Sequence, residues 1–418
     1  MEASHAEQMG PGSNTDQSRN RVCRSARVGF LTGPWAAESE GKIVMHSMFG
    51  RVIDEVAKSF SQCYVSLPVY PDDGTRDCVL QSDNVQLIAQ PGWKNTFQGM
   101  KHPIGILRAG RRLVDRSDAI FVRGTLPYLP LIYLYAILRG KVVIQWMANN
   151  LRLVLRFVPE AASLTGKVRS ALAWFDEKWF LLIRKSSRVY MIASGCELYE
   201  KYESPRTTLV VSSTIRQDEF YYREDTCLKD PVRILFVSFI RPGKGLEYLV
   251  DALARLKTSR PVRLAIVGDT KKNSAEKLRI EKQIDGLGLS DKVDWEDYAR
   301  FGAELFAQLR RSDIFVLPTL TEGAPHVLVE ARAFGLPVIS TRVGGIPSSV
   351  KDGEDGILVP PRDGQALAAA IDKVIEDGEF RRKLISNGYT AAKAFSLEKF
   401  TEQVVEVIGR ALLCRDHD

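Results

Sequence analysis

Two glutamates eight positions apart, Glu322 and Glu330, lie in the most informative segment of this 418-residue chain. The segment Pro318–Ser340 reads PTLTEGAPHVLVEARAFGLPVIS and follows the apolar run IFVLP, so a strand is predicted to turn into a helix. Pro325 suits the first turn of that helix, and Gly335 is expected to end it. Free backbone N–H groups at the helix start, with the helix dipole, would bind a phosphate or diphosphate.

Glu330 is the more unusual of the two glutamates, because it lies within the apolar stretch VLVEARA. Helical side chains tilt toward the N-terminus of their helix, so Glu330 is expected to point back toward Glu322. A buried carboxylate is costly without hydrogen-bond donors, which the hydroxyls of a sugar or ribose would supply. The spacing is equally compatible with an ion pair between Glu330 and Arg332 or another arginine that serves only the fold.

The elements that would position these glutamates alternate between strands and helices in both halves of the chain, a pattern typical of parallel βαβ units. The predicted strands are Val28–Leu31, Cys63–Leu67, Ala119–Val122, Val142–Trp146 and Arg188–Ala193 in the first half, and Arg233–Val237, Arg263–Val267, Lys292–Trp295, Asp313–Pro318, Pro337–Ser340 and Gly356–Val359 in the second. The fold class is therefore α/β, with two doubly wound domains. Ligands bind such sheets beyond the carboxyl ends of the strands.

Four parts are predicted along the chain. These are a disordered tail (1–25), an N-terminal Rossmann-like domain (26–222), a C-terminal Rossmann-like domain (223–395) and a C-terminal helix (396–418) packing back toward the N-terminal domain. A helix is predicted from Lys42 to Phe60, and a linker over Thr207–Lys229, where the periodicity fades. The apolar run Leu126–Leu138 is shorter than the roughly 20 residues that span a bilayer, so we expect a buried helix.

The pattern EGAPxxxxE around Glu322 and Glu330 resembles the signature of the family-4 retaining glycosyltransferases, which have the GT-B fold. Further segments agree in the same order: FVSFIRPGKGLEYLVDAL, LAIVGD, LGLSDKV and VGGIPSSVKDGEDGILVPPRD. The resemblance covers roughly Arg233 to Phe395 and is weaker from Val28 to Ser213. It implies two domains that face each other across a cleft, with a nucleotide-sugar held mainly by the second.

Residue roles follow from this resemblance. Glu330 would hold the ribose of the donor and Glu322 its sugar, while free amides in the turn would hold the sugar or diphosphate. That turn consists of Gly323, Ala324, Pro325 and His326. Lys244, in PGKG, matches a family lysine that neutralises the leaving diphosphate. We expect His326 to serve the helix start rather than acid–base chemistry.

The sequence departs from the family pattern at several positions. Phe239 stands where relatives carry an arginine, and we expect Arg241 to replace it. Near the donor base, Asp297 stands where a glycine is usual, beside Tyr298. In the first half, Met147 lies near the position of a family histidine.

The acceptor side of the cleft is expected to include Gly41, Asn149 and Asn150, although helix capping explains the two asparagines equally well. No DxD-type metal site stands out, so neither a metal nor another cofactor is predicted. Lys244 and Arg241 would neutralise the leaving group of a UDP- or GDP-sugar.

The net charge of +7 is unevenly distributed. Residues 101–188 contain sixteen Lys and Arg against five Asp and Glu, so the remainder of the chain is slightly acidic. Basic helices that also carry Trp, Phe and Leu suit an anionic membrane surface or a lipid-diphosphate acceptor. Solvated basic faces over core aromatics are the alternative, and a nucleic-acid partner is not expected because no recognised module is present.

The sequence thus predicts a retaining glycosyltransferase that transfers a sugar from a nucleotide-diphosphate-sugar to a glycan or lipid-linked acceptor. By resemblance it would act in envelope or exopolysaccharide synthesis. Six scattered cysteines without a CxxC pair fit a cytoplasmic location. The basic region 101–188 would allow peripheral attachment to the inner face of the plasma membrane. Two alternatives remain: a nucleotide-sugar epimerase of the same fold and a catalytically silent nucleotide-sugar-binding subunit.

Overall fold

A computed structural model describes residues 14–33, 36–39, 41–45, 47–71, 78–156, 163–269 and 274–415. It contains two parallel sheets, one in each half of the chain, with helices on both faces of each. A small antiparallel sheet lies beside the first.

The N-terminal domain is built on a seven-stranded parallel sheet. Its strands are β1 (Arg27–Thr32), β4 (Gln62–Pro68), β6 (Val85–Gln90), β7 (Ala119–Arg123), β8 (Val142–Met147), β9 (Val189–Ser194) and β10 (Thr207–Val210), and the small sheet contains β2 (Ala37–Ser39), β3 (Lys42–Met45) and β5 (Cys78–Val79). The helices are α1 (Asn14–Ser25), α2 (Ser47–Ala57), α3 (Thr96–Gly99), α4 (Pro103–Arg116), α5 (Leu129–Leu138), α6 (Leu151–Leu155), α7 (Leu164–Ile183) and α8 (Cys196–Lys201).

The C-terminal domain is built on a six-stranded parallel sheet. Its strands are β11 (Val232–Val237), β12 (Val262–Val267), β13 (Val293–Glu296), β14 (Ile314–Leu317), β15 (Val338–Thr341) and β16 (Ile357–Val359). Its helices are α9 (Leu246–Ala254), α10 (Ser274–Gly286), α11 (Ala303–Arg310), α12 (His326–Ala333), α13 (Gly364–Glu376) and α14 (Gly378–Ala394), followed by α15 (Leu397–Arg415).

Both sheets are doubly wound. The strand order is β10-β9-β8-β7-β1-β4-β6 in the first and β13-β12-β11-β14-β15-β16 in the second. In each, the first strand lies in the middle and the winding reverses beside it, between β1 and β7 and between β11 and β14. Such a reversal opens a crevice at the carboxyl ends of the strands, which is where ligands bind. The predicted fold class is confirmed.

The last helix returns to the first domain. Phe400 of α15 packs 5.3 Å from the buried ring of Trp146 in β8, and α15 also contacts α2. The chain passes between the domains through residues 211–222, and Leu397 N–H donates to the Ile215 carbonyl at 2.8 Å where it crosses back.

The structure corrects the prediction that residues 1–25 are a disordered tail. Residues 14–25 form α1, which packs on α15; residues 1–13 lie outside the described residues. Arg19 forms an ion pair with Glu406 at 3.5 Å, and Cys23 is buried against α15 near Gly409. This polar segment has too few apolar residues to show a helical pattern in the sequence. Its helix is stabilised by packing on α15, a contact that only the tertiary structure supplies.

Three further predictions were wrong in detail. Residues 42–45 form β3 rather than the start of a helix, because they pair with β2 in a hairpin. Thr207–Val210, placed in the linker, is the edge strand β10 beside β9. The helix α5 is not fully buried, since Leu131, Leu134 and Leu138 are exposed. Among the described residues, no helix is both long and apolar enough to cross a membrane.

Candidate functional site

A cavity of about 280 Å³ opens beyond the carboxyl ends of β11 and β14, where the C-terminal domain faces the N-terminal domain. Residues of both domains and of the segment between them line it. The predicted site residues in its wall are Asn149, Arg241, Lys244, Tyr298, Glu322, Ala324, Pro325, His326 and Glu330. The fold thus brings together groups that are up to 181 positions apart in the chain.

Lys244 and Glu322 form a close ion pair in this cavity, in which Lys244 Nζ donates to Glu322 Oε1. Two glycines with positive φ set the backbone around them. Gly245 (φ 70°) lies against the Pro318 carbonyl, and Gly344 (φ 55°) lies against the Glu322 carbonyl. A Cβ at either position would collide with that carbonyl, so each charged side chain is placed by a contact that only glycine permits.

Glu330 lies at the back of the cavity and is buried. Its Oε1 accepts a hydrogen bond from Thr214 Oγ1 at 2.8 Å. Burial raises the pKa of Glu330 to about 7, and the Thr214 hydrogen bond and the charge of Arg51 offset that rise only in part. The carboxylate can therefore accept further hydrogen bonds from a ligand.

The alternative pairing of Glu330 with Arg332 is wrong. The Arg332 guanidinium donates from Nη1 to the Ser349 carbonyl at 2.6 Å and lies 3.5 Å from Asp355 Oδ2. Arg332 thus serves the fold beneath α12, while Glu330 faces the cavity.

His326 is the first residue of α12, with Pro325 at its N-cap rather than inside the first turn. Its Nδ1 lies 3.0 Å from the Ser212 carbonyl. A carbonyl can only accept, so Nδ1 carries the proton in this contact and Nε2 is left as an acceptor. Burial, reinforced by the charge of Arg123, lowers the pKa of His326 to about 4, so the ring is neutral at physiological pH. No side chain caps α12, so its first amides are available to an anion.

Phe239 and Arg241 both line the cavity just after β11. The Arg241 guanidinium lies 5.9 Å from the Phe239 ring, within the range of a cation–π contact. The structure thus places a cation beside the position where the family arginine is missing.

The remaining predicted residues differ in their position relative to the cavity. Gly323 does not line it but lies at the domain contact, against the Ala148 carbonyl. Tyr298 is part of the wall, whereas Asp297 is exposed and is not. Gly41 lies in the turn between β2 and β3 and lines neither this cavity nor the one described next, so its assignment to the acceptor side stays a prediction.

A second cavity of about 370 Å³ lies on the N-terminal side of the cleft and shares Arg123, Ala148, Asn149 and Arg241 with the first. Asn150 lines it, but its side chain donates to Glu197 Oε1 at 2.9 Å and accepts from Leu153 N–H at 3.4 Å. Asn150 therefore caps α6, as the alternative interpretation has it.

Asp176 of α7 also faces this second cavity. Burial raises its pKa to about 6, and it makes no hydrogen bond or ion pair with the described part of the chain. The next residue, Glu177, is instead held by Lys201 at 3.1 Å. Asp176 is thus a carboxylate in the cavity wall that can accept hydrogen bonds from a ligand or from water.

The sequence analysis missed three residues of the site: Arg123, Thr214 and Asp176. Arg123 ends β7, and its guanidinium lies 5.0 Å from the Trp146 ring and 5.1 Å from the Phe49 ring. Its position at the carboxyl end of a predicted strand was an available signal. No signal in the sequence pointed to Thr214 or Asp176, because only the tertiary fold places them in the cleft.

Comparison with known proteins agrees with this geometry. Residues 220–391 match the family model "Glycosyl transferases group 1". A D-inositol 3-phosphate glycosyltransferase of Geodermatophilus obscurus is 34% identical over 216 residues, which cover 48% of this chain and 47% of the relative. A lipopolysaccharide core biosynthesis glycosyltransferase, LpsE of Rhizobium meliloti, is 31% identical over 189 residues, covering 44% and 52%. The chain thus spans about half the length of the curated relatives it matches.

Solved structures resemble the chain over nearly its whole length. Sucrose-phosphate synthase from Thermosynechococcus elongatus has a TM-score of 0.71 at 20% identity, covering 93% of this chain and all of that one. Anabaena HepE in complex with UDP-glucose has a TM-score of 0.64 at 18% identity, covering 92% and 100%. Two facing doubly wound domains and these neighbours together show that the chain has the GT-B fold, and its residues 220–391 are similar to the group 1 glycosyltransferases.

Proposed function

We propose that this protein is a retaining glycosyltransferase that moves a sugar from a nucleotide-diphosphate-sugar to an acceptor hydroxyl. The observation that supports this most directly is the convergence of Lys244, Glu322 and Glu330 on one cavity at the strand reversal of the C-terminal sheet. UDP-glucose bound to HepE, a protein of the same fold, supports a nucleotide-sugar as the donor.

Each group in the cavity has a role that its chemistry suits. Glu330 would accept hydrogen bonds from the ribose hydroxyls, as it already does from Thr214. The uncapped start of α12 would hold the diphosphate. Glu322 would accept from hydroxyls of the donor sugar. Lys244 would then exchange its carboxylate partner for a phosphate oxygen.

In the proposed reaction the bond between C1 of the sugar and the phosphate oxygen breaks, and the negative charge on the leaving diphosphate grows. Fixed cations aimed at that charge stabilise the transition state, and Lys244 and Arg241 both line the cavity. The acceptor hydroxyl attacks C1 from the same face and passes its proton to the departing phosphate oxygen. The anomeric configuration is retained, and we propose that no divalent metal is needed.

The second cavity is the proposed acceptor site. Asp176 would accept hydrogen bonds from acceptor hydroxyls, and Asn149 and Arg123 lie between the two cavities. The names of the relatives, which act in lipopolysaccharide core synthesis and on an inositol phosphate, support a glycan or lipid-linked acceptor in envelope or exopolysaccharide assembly. We further propose that the protein works in the cytoplasm.

The test is product analysis with the purified chain. UDP- and GDP-sugars are incubated with and without a panel of methyl glycosides, in the presence of EDTA, and the products are followed by NMR. We expect transfer, or slow hydrolysis without acceptor, with the anomeric configuration unchanged. A donor converted to its epimer without acceptor would indicate an epimerase, and donor binding without turnover would indicate a silent subunit. Strict dependence on added metal would contradict the charge-neutralising roles of Lys244 and Arg241.

A further inference from the structure

Three helices, α4, α5 and α7, form the layer on one side of the N-terminal sheet, and their inner residues belong to one apolar core. Adjacent helices in this layer are in direct contact. Gly110 of α4 lies against Ile132 of α5, and the rings of Tyr133 in α5 and Trp179 in α7 are 6.4 Å apart. The three helices therefore present one continuous outer surface, called here the α4–α5–α7 face.

This face exposes an unusual number of apolar side chains. Of the eighteen exposed large apolar or aromatic residues within the described ranges, eight lie on α4, α5 and α7. On α5, Leu131, Leu134 and Leu138 are 52%, 53% and 74% exposed at a spacing of three and four residues, so they form one stripe. A helix that packs on the core of a water-soluble domain ordinarily carries polar residues on its solvent-facing side.

The stripe continues on α7. Val168, Phe175 and Leu182 recur every seven residues and are exposed, and Trp174 is exposed beside them. The opposite side of the same helix carries Ala173, Asp176 and Phe180, which line the proposed acceptor cavity. The helix α7 thus separates the cleft from this apolar stripe.

Cations are interleaved with the apolar residues. On α4, Arg108, Arg111 and Arg112 are exposed on the same side as Ile104, and on α7 Lys167 and Lys178 are exposed along the stripe. The exposed acid of α4, Asp115, is already engaged by Tyr135, Arg111 and Arg139. The face is therefore both apolar and positively charged.

We infer that the α4–α5–α7 face docks on an anionic lipid bilayer, with the leucines and Trp174 at the boundary of the acyl chains and the arginines and lysines among the headgroups. Apolar side chains interleaved with basic ones in one helical layer are what such a surface recognises. An acidic protein would pair with the cations but would leave the separate rows of Leu131 and Phe175 without matching pockets. Docking does not depend on the proposed reaction.

Docking would also place the acceptor cavity next to the membrane, because α7 borders both. A lipid-linked acceptor could then reach the cleft without leaving the bilayer surface. This consequence rests on the proposed function.

The test is co-sedimentation of the full chain with vesicles. One set contains phosphatidylglycerol and phosphatidylcholine in about equal amounts, and the other phosphatidylcholine alone. We expect binding to the anionic vesicles that high salt weakens. Replacing Arg108, Arg111 and Arg112 together by Gln should weaken it about 100-fold, since each cation near such a surface contributes about a factor of five. Replacing Lys257, Lys282 and Lys292 of the C-terminal domain by Gln is the matched control and should have little effect.

Apolar variants test the second half of the inference. Trp174→Ser combined with Leu138→Ser should weaken vesicle binding, whereas Leu228→Ser with Leu278→Ser, equally exposed on the C-terminal domain, should not. Quenching of Trp fluorescence by brominated lipids should be present in the native chain and reduced in Trp174→Phe. Thermal shift by a UDP-sugar should be the same in all these variants, which separates docking from donor binding. Absence of vesicle binding, equal loss in the control variants, or a dimer that the leucine substitution dissociates would each overturn the inference.

Discussion

The two walls of the cleft differ in how their polar groups are satisfied. On the donor side, Lys244 is paired with Glu322, Glu330 with Thr214 and His326 with Ser212. On the acceptor side, Asn150 and Glu177 are also paired, whereas Asp176 makes no such contact within the described residues. Groups that hold one another are positioned before a ligand arrives, whereas Asp176 can exchange water for hydrogen bonds from a ligand. Under the proposed function, the donor side is thus organised before the donor binds, and Asp176 would gain its partners from the acceptor.

The largest effect should come from removing the cation of the donor wall. Lys244→Ala should lower kcat about 100- to 1,000-fold, because the leaving diphosphate loses a fixed positive charge. Donor affinity should fall less than kcat. Steady-state kinetics with Lys257→Ala as a control for an exposed lysine would check this, and a change in KM alone would show that Lys244 acts only in binding.

Glu330 should matter next, and mainly for binding. Glu330→Ala should weaken donor affinity about 10- to 100-fold, since a hydrogen bond to a charged group is worth about 1.5–3 kcal/mol. Isothermal titration with a UDP-sugar measures the effect, and Glu402→Ala, at an exposed carboxylate, is the control. An unchanged donor affinity would remove Glu330 from the donor site.

The raised pKa of Glu330 predicts a pH dependence with a definite sign. The folded state, with a pKa of about 7, binds the proton more tightly than the unfolded chain, so native stability falls as pH rises from about 4.5 to 7. Relative to Glu330→Gln, the native protein should lose about 3 kcal/mol of unfolding free energy over that range. Chemical denaturation of both proteins at several pH values would show it, and parallel curves would contradict it.

Donor affinity should depend on pH in the opposite direction from native stability. Ribose hydroxyls donate to the ionised carboxylate, so donor affinity should rise as pH increases through 7 and then level off. The Glu330→Gln variant should show no such rise.

The smallest effect is expected on the acceptor wall. Asp176→Asn keeps the shape of the side chain and should raise the KM for the acceptor roughly fivefold while donor affinity stays the same, because one charged acceptor of hydrogen bonds is replaced by a neutral amide. Asp291→Asn, at an exposed aspartate of the C-terminal domain, is the control. A loss of donor affinity in Asp176→Asn would show that the two walls are not independent.

Much of the donor site could be predicted because its signals are local. Glu322, Glu330 and the start of α12 lie within one strand–turn–helix unit, and the resemblance added Lys244 from another such unit. The buried parallel strands were found for the same reason, since each is a short apolar run between turns. The hairpin strand β3 and the edge strand β10 were missed, because their pairing partners rather than their own composition make them strands.

The sequence by itself determined the alternation of strands and helices, the types and spacing of Glu322, Glu330 and Lys244, and the excess of positive charge in residues 101–188. Only the tertiary structure decided that Arg332 pairs with Asp355 rather than Glu330, that Asp176 faces the cleft, and that the leucines of α5 face outward. The physical reason is the same in each case. The type of a side chain and its place within a helix are local properties, whereas its burial and its partner depend on which distant element packs against that helix.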